Sequence, residues 1–189
     1  MKKSLKLLSV ALASVYLAGC STYSVNNYGI SASNIEQLKK FEGVQVSVND
    51  FTASKPGLSK IQCRGAGPVS VSDGTTFESY IKDALVSELK LSGLYSENAP
   101  IIIDGYFEKI DFNSQIGSGK WIFEAKVSSN ENQTVNLKSV YEFSTNWVAD
   151  KACQQVAQAF VPAVQNLIKD LVSNPQFVQL ANAKSSTNL

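Results

Sequence analysis

The middle of the chain carries an alternating pattern, reading Trp121-Ile122-Phe123-Glu124-Ala125-Lys126-Val127-Ser128. Its apolar residues Trp121, Phe123, Ala125 and Val127 share one face of an extended chain, which predicts a strand with one buried side. Thr134 to Asn146 repeats the pattern, with Val135, Leu137, Tyr141 and Phe143 on one face and Ser139 between them. The polar connection at residues 129–133 has hairpin length, so we expect these two strands to pair antiparallel.

Two more strands are expected upstream of this pair. Ile101 to Phe112 is apolar and extended in character, and Val44-Gln45-Val46-Ser47-Val48 alternates strictly. Residues 50–72 contain Pro56-Gly57, Gly65 and Gly67-Pro68, which predict a loop of about 20 residues. A loop of that length is either functional or held in place by a disulfide.

Helical periodicity appears twice. Thr75-Thr76-Phe77-Glu78 has capping-box spacing and opens a helix that ends at Gly93. Its apolar positions are Phe77, Tyr80, Ile81, Ala84, Leu85 and Leu89. A second helix is expected from a cap at Asp150 to Asn174-Pro175, with a kink or break near Pro162. Its apolar positions are Cys153, Val156, Phe160, Val164, Leu167, Ile168 and Leu171.

The order of elements is therefore β-α-β-β-β-α. It predicts an α+β fold, a two-layer sandwich in which two helices cover one face of an antiparallel sheet of about four strands. The chain has 189 residues, 44% of them hydrophobic and 17% charged, which is typical of one globular domain. We place this domain at residues 37–178.

The N-terminus has the three parts of a signal peptide, predicted at residues 1–19. A basic Met1-Lys2-Lys3 precedes an apolar run from Leu5 to Leu17, and small residues Ala18-Gly19 stand before Cys20. The run of about 12 residues is too short to span a bilayer as a helix, and it suits an export signal.

Leu17-Ala18-Gly19-Cys20 resembles the lipobox of bacterial prolipoproteins. This resemblance implies that the Cys20 thiol receives a diacylglycerol, that cleavage occurs before Cys20, and that the new amino group is acylated, with chains such as palmitate. Two or three acyl chains, each contributing about 0.8 kcal/mol per buried methylene, would anchor the protein stably in a membrane. In the enteric sorting rule an Asp after the cysteine retains the protein at the inner membrane. This chain has Ser21, so the resemblance implies an outer-membrane address facing the periplasm.

The segments flanking the domain are rich in Ser and Asn. Ser21 to Asn34 has no helical or strand period, so we predict that the lipidated Cys20 and residues up to 36 form a flexible tether. Residues 179–189 are likewise expected to be a flexible tail. Removal of Lys2, Lys3 and Lys6 leaves 14 basic and 16 acidic residues, a net charge of −2. This balance argues against a nucleic-acid partner.

The two cysteines left after Cys20 are expected to form a disulfide. Cys63 and Cys153 would lie in a compartment that permits disulfides, and their bond would contribute about 3 to 5 kcal/mol in the chain-entropy model. A redox pair is the alternative, but no Cys-x-x-Cys motif supports it. The chain has no His, which excludes His-dependent triads and His-ligated metals. We predict no metal and no cofactor.

Two features superficially suggest chemistry. Gly117-Ser118-Gly119-Lys120 ends like a phosphate loop, yet the first glycine of that motif is missing and Trp121 follows the lysine, so we expect a strand connection. Asp104, Glu108 and Asp111 lie on one predicted strand and are expected to be solvated carboxylates. We therefore predict that the protein is not an enzyme.

Aromatic residues concentrate in the strand region, and most should be buried, although an exposed aromatic sheet face would indicate a binding surface. They are Tyr106, Phe107, Phe112, Trp121, Phe123, Tyr141, Phe143 and Trp147. The architecture resembles small α+β lipoproteins that assist envelope assembly and transport systems in Gram-negative bacteria. The favoured function is a noncatalytic accessory or assembly lipoprotein of the cell envelope, with another envelope protein as partner. The alternatives are a lipid-, glycan- or small-ligand-binding protein and, less favoured, a hydrolase that works without His.

Overall fold

The computed structural model describes residues 21–181, apart from residues 42 and 73. In chain order, the elements of this part are β1 (Tyr23–Ser24), α1 (Ala32–Leu38), β2 (Val46–Val48), β3 (Thr52–Ala53), β4 (Lys60–Cys63), β5 (Gly67–Ser70), α2 (Phe77–Leu91), β6 (Ile101–Asn113), β7 (Gly119–Ser129), β8 (Thr134–Phe143), α3 (Ala149–Val172) and α4 (Pro175–Ala181). The predicted signal peptide, Cys20 and residues 182–189 lie outside the described residues.

The larger sheet is built around the predicted hairpin. β6, β7 and β8 form an antiparallel meander, with Trp121 opposite Tyr141 and Ser128 opposite Thr134. β2 and β3 lie in succession along the other side of β6, and both run parallel to it. The parallel pairing is possible because α2 returns the chain to the same end of the sheet. The α+β class is confirmed. The prediction of a simple sandwich, with two helices on an antiparallel sheet of four strands, is wrong, because the described residues form four helices and mixed sheets of five and three strands.

A second, smaller sheet occupies the region predicted to be a loop. β4 and β5 form an antiparallel hairpin, and β1 pairs parallel with β5, giving the order β1-β5-β4. The loop prediction at residues 50–72 is therefore wrong, since β3, β4 and β5 all fall within it. These strands have two to four residues each, and Pro68 lies in β5, so the local pattern reads as a loop.

The core lies between the larger sheet and the helices. β7 turns Trp121, Phe123, Ala125 and Val127 inward, as predicted, and all four are buried. The Trp121 ring centroid lies 4.8 Å from that of Phe160 on α3, and Trp121 Nε1 donates a hydrogen bond to the Val156 carbonyl at 3.0 Å. On the other face of β7, Lys120 and Lys126 are exposed. The aromatic face of this strand therefore serves packing.

Helix α2 begins differently from its prediction. Thr76 is the N-cap, because its Oγ1 accepts a hydrogen bond from Ser79 N at 3.2 Å. Glu78 does not complete a capping box; it is buried, and its Oε1 accepts from Gly57 N at 3.1 Å. The predicted end is confirmed, since Gly93 follows the helix with φ of +80°.

Helix α3 runs without a break from Ala149 to Val172, so of the kink or break predicted near Pro162 the break is wrong. The apolar side of the helix is buried along its whole length, and this packing outweighs the one hydrogen bond that Pro162 cannot donate. Asp150 is not the cap either. The N-cap is Val148, which makes no side-chain capping bond, and Asp150 lies in the first turn.

Both predicted flexible flanks carry ordered structure within the described residues. The tether prediction for residues 20–36 is wrong over residues 21–36, which contain β1 and most of α1. The predicted domain end at residue 178 falls inside α4, where Leu180 and Ala181 are buried. Apolar side chains that reach the core order these segments despite their polar composition.

Candidate functional site

Residues 21–38, here called the strap, cross the domain surface and begin at the smaller sheet. The Ser21 carbonyl is so close to Gly67 that a Cβ at position 67 would lie 1.8 Å from its oxygen. Tyr23 pairs with Val69, and Val25 N donates to the Ser70 carbonyl at 2.9 Å. The chain is thus fixed to β5 from the first described residue.

The middle of the strap is held by a buried carboxylate. Glu88 on α2 has no exposed surface, and it accepts hydrogen bonds from the Tyr28 hydroxyl and, at 3.1 Å, from Ser31 N. Tyr80 on the same helix donates to the Asn26 carbonyl at 2.7 Å. Burial, and next the bond to Glu88, raise the pKa of Tyr28 above its ordinary value, and burial raises the pKa of Tyr80 to about 12. Both hydroxyls therefore stay protonated and continue to donate at neutral pH.

The end of the strap is helix α1, which packs on α3. Its N-cap is Ser31, and Ile35 and Leu38 are buried. Asn34 Nδ2 donates to the Gln165 carbonyl at 3.0 Å, and Gln165 Nε2 donates back to the Gly29 carbonyl at 2.8 Å. This reciprocal pair fixes the direction of the strap across both long helices.

The predicted disulfide joins the smaller sheet to α3. Cys63 and Cys153 have their sulfur atoms 2.12 Å apart and their Cα atoms 5.8 Å apart, and both side chains are fully buried. The pairing predicted from the number of cysteines is confirmed. It connects the end of β4 to the second turn of α3.

Arg64, the next residue, connects three segments and was not singled out from sequence. Its Nε donates to the Ser114 carbonyl at 2.9 Å, and its Nη1 donates to the carbonyls of Asn146 at 3.1 Å and Trp147 at 3.3 Å. Arg64 itself has φ of +45°, a conformation uncommon for a residue with a side chain. The sequence offered one signal for this role, namely that Arg64 directly follows a cysteine predicted to form a disulfide. A guanidinium at such a position can donate to several carbonyls at once.

The surface beside Arg64 exposes two large apolar side chains. Trp147 is 76% exposed and Ile116 is 74% exposed, the two highest fractions among the large apolar residues of the described chain. The segments that carry them are joined, because the Thr145 hydroxyl donates to the Gln115 carbonyl. Trp147 therefore differs from the other strand-region aromatics, most of which pack in the core. We call the end of the domain that holds Ser21, Arg64, Gly67, Ile116 and Trp147 the strap end.

The three carboxylates considered for catalysis do not all line one site. Asp104 and Glu108 line an open groove of about 460 Å³, and Glu108 and Asp111 line a second pocket of about 80 Å³. Asp104 accepts a hydrogen bond from Asn49 Nδ2 at 2.8 Å, and Asp111 accepts from Phe112 N at 2.9 Å. They are seven residues apart on β6, roughly 23 Å along an extended strand. Glu108 lies between them at a break in the β6–β7 register. Among the described residues, no group of three or more Cys, Asp or Glu side chains is placed to hold a metal ion.

The glycine-rich segment at residues 117–120 connects two strands, as expected. Gly117 has φ of +83°, which a tight connection between β6 and β7 requires, and Lys120 lies within β7. A phosphate loop would place its lysine at the start of a helix.

Cavities bear on the ligand-binding alternative. The apolar cavity between sheet and helices, lined by residues including Phe51, Leu85 and Leu167, has a volume of about 20 Å³. Sites for small molecules usually measure roughly 300 to 1,000 Å³. An open groove of about 470 Å³ lies between the strap and α3, and polar side chains such as Asp150 and Gln154 line much of it. In the described part of the chain, no helix has the length and hydropathy to cross a membrane.

Comparison with known proteins shows the fold alone. No family model matches the chain, and no curated protein matches it. The crystal structure of protein XCC0632 from Xanthomonas campestris, of family DUF330, is similar with a TM-score of 0.56 and 11% identity, over 87% of this chain and 100% of that chain. The hypothetical protein CT253 from Chlamydia trachomatis aligns with a TM-score of 0.41 and 8% identity, over 71% of this chain and 97% of that chain.

Proposed function

We propose that this chain is a noncatalytic accessory lipoprotein of the bacterial cell envelope, anchored through Cys20 and engaged with another envelope protein. The observation that carries the proposal is the strap, which fixes Ser21 against Gly67. A lipid on the preceding residue would hold the folded domain directly at a membrane surface. The lipobox Leu17-Ala18-Gly19-Cys20 supplies the chemistry of attachment.

A protein partner is supported by an edge of the larger sheet to which no strand is paired within the described residues. β8 is ten residues long and is the last strand in the sheet order β2-β6-β7-β8. An edge strand of this length offers backbone donors and acceptors to which a partner can add a strand. The apolar cavity of about 20 Å³ leaves no room for an acyl chain between helices and sheet, so we favour the protein partner over a carried lipid.

The anchor is tested by changing its acceptor. We expect C20A to accumulate as unprocessed precursor and to lose acylation, because no thiol remains to take the lipid. The measurement is mass spectrometry of the N-terminal peptide together with fractionation of membranes. S21A is the matched control and should be processed normally. Wild-type protein with an unmodified Cys20 would contradict the proposal.

The address is tested by S21D. Under the enteric sorting rule, an Asp at this position should move the processed protein from the outer to the inner membrane. Density-gradient separation of the two membranes measures the shift. An unchanged distribution in an enteric host would remove the argument for the outer membrane.

The partner is tested by photo-crosslinking in the cell. A photoreactive residue in place of Lys138 on β8 should form a reproducible adduct with one envelope protein. The same probe in place of Leu91, which is 61% exposed at the end of α2, is the control. Lipid or glycan adducts at position 138 without any protein adduct would favour the ligand-binding alternative.

A further inference from the structure

The strap end is the part of the surface closest in the chain to the proposed anchor. Ser21 directly follows Cys20, and consecutive Cα atoms are about 3.8 Å apart. Ser21 is itself fixed, because its carbonyl lies against Gly67 and β1 pairs with β5 two residues later. A lipid on Cys20 would therefore be attached one residue from a fixed point of the domain, and little chain would be available to swing the domain away.

The exposed apolar pair is connected to this point by short structural links. Gly67 pairs with Cys63 across the β4–β5 hairpin, and Arg64 begins the turn of that hairpin. Arg64 then binds the carbonyls of Ser114 and Trp147. The turn that carries Ile116 and the segment that carries Trp147 are thus held at the same end of the domain as Ser21.

Trp147 and Ile116 have the character of a membrane-contacting pair. A tryptophan combines a large apolar ring with an N–H donor, and it is favoured where hydrocarbon meets headgroups. Trp121, the other tryptophan, is fully buried and takes no part in this surface. About three quarters of each side chain is exposed, although the two segments that carry them are joined by a hydrogen bond.

We propose that the strap end rests on the bilayer that carries the anchor, with Trp147 and Ile116 inserted in the interfacial layer. This inference rests on the proposed acylation of Cys20. The bilayer is the occupant of this surface because the acyl chains leave the protein one residue before Ser21. The docked face would fix the orientation of the domain and leave the far end of β6, near Ile101, pointing away from the lipid.

The test uses tryptophan emission from the full processed protein, purified from membranes and reconstituted in phosphatidylethanolamine–phosphatidylglycerol vesicles. Trp147 emission is the difference between wild type and W147F, since the chain has two tryptophans. Lipids brominated near the headgroup end of their acyl chains should reduce Trp147 emission at least twofold. I116W in the W147F background should be quenched to a similar extent, which checks the same face with a second reporter.

L91W in the W147F background is the matched control. Leu91 is exposed at the end of α2, close to Leu94, whose carbonyl accepts from Val46 at the start of the larger sheet. Its emission should not respond to brominated lipid. Equal quenching at positions 91 and 147, or none at either, would overturn the inference.

Mass spectrometry of the same protein separates the two proposals. If the protein is acylated but Trp147 is not quenched, contact of the strap end with the bilayer is ruled out, and the proposed acylation of Cys20 is retained. Protein with an unmodified Cys20 overturns the proposed function, and the docked face with it. A protein crosslink formed at Trp147 in place of lipid quenching would assign this surface to a protein partner and reject the bilayer.

Discussion

The two sheets of this protein are stabilised in different ways. The larger sheet has strands of ten to thirteen residues in its meander, and Trp121 and Phe123 bury its inner face against α3. The smaller sheet has strands of two to four residues, and it depends on a disulfide, on Arg64 and on the polar contacts of the strap. Both sheets bury apolar side chains, Val69 of β5 among them, but the smaller sheet is held in addition by a covalent link and specific hydrogen bonds.

This difference implies two levels of cooperativity. Damage to the apolar core should unfold both sheets, because the strap and the disulfide attach to helices that the core positions. Damage to the links of the smaller sheet should loosen that sheet and leave the meander folded. Four substitutions, taken from the largest expected effect to the smallest, test this expectation.

Trp121→Ala should have the largest effect, a loss of about 5 kcal/mol in the free energy of unfolding. The substitution removes the ring that contacts Phe77, Phe112 and Phe160, together with its hydrogen bond to the Val156 carbonyl. Urea unfolding followed by circular dichroism measures the loss. Hydrogen exchange should show both sheets opening together. Protection retained only in the smaller sheet would contradict the expectation that both sheets depend on the apolar core.

Replacing Cys63 and Cys153 together by Ala should cost about 4 kcal/mol, because the bond closes a loop across a sequence separation of 90 residues. Amide protection should fall first in β4, β5 and β1, with β7 and β8 retaining theirs. The wild-type protein treated with reductant should reproduce the pattern. A uniform fall in protection across both sheets would show that the disulfide stabilises the whole domain alike.

Gly67→Ala should cost about 2 kcal/mol and release the strap, because the added Cβ would lie 1.8 Å from the Ser21 carbonyl oxygen. Limited proteolysis should then cleave within residues 21–31 while the domain survives. Gly65→Ala is the matched control, since a Cβ there meets nothing within 4 Å. Equal cleavage of the two variants would contradict the proposed packing.

Tyr80→Phe should have the smallest effect at neutral pH, about 1 kcal/mol, from loss of the hydrogen bond to the Asn26 carbonyl. A pH-dependent effect is added at alkaline pH. Because burial raises the pKa of Tyr80 from 10 to about 12, the unfolded chain releases this proton first, and stability falls as pH rises from 10 to 12. Urea midpoints between pH 8 and pH 12 should fall less steeply for the variant. An unchanged slope would show that Tyr80 does not contribute.

The sequence predicted the parts that depend on repeated local patterns. The β7–β8 hairpin, helix α2 and the long α3 follow from apolar periodicity, and the partner of Cys63 follows from the number of cysteines. These features can be read locally, because each residue that defines the element is close in sequence to the next.

The parts that sequence did not predict depend on single residues with distant partners. Tyr23 and Ser24 form a strand only because β5 lies beside them, and Tyr28 is held by one carboxylate 60 residues away. Glu78 matches a capping box in spacing but accepts a hydrogen bond from Gly57. The strap end was missed for the same reason. Arg64 binds the carbonyl of Ser114, 50 positions further along the chain, and that of Trp147, 83 positions further along.

The reciprocal contact between the strap and Gln165 also sets a sequence of events during synthesis. Gly29 emerges early, yet its hydrogen-bonding partner is 136 residues further along the chain. This contact therefore forms only after about nine tenths of the chain has been made, whereas the partners of Tyr23 on β5 and of Tyr28 on α2 are made earlier. The contacts of the strap with β5 and α2 can thus form before its contact with α3.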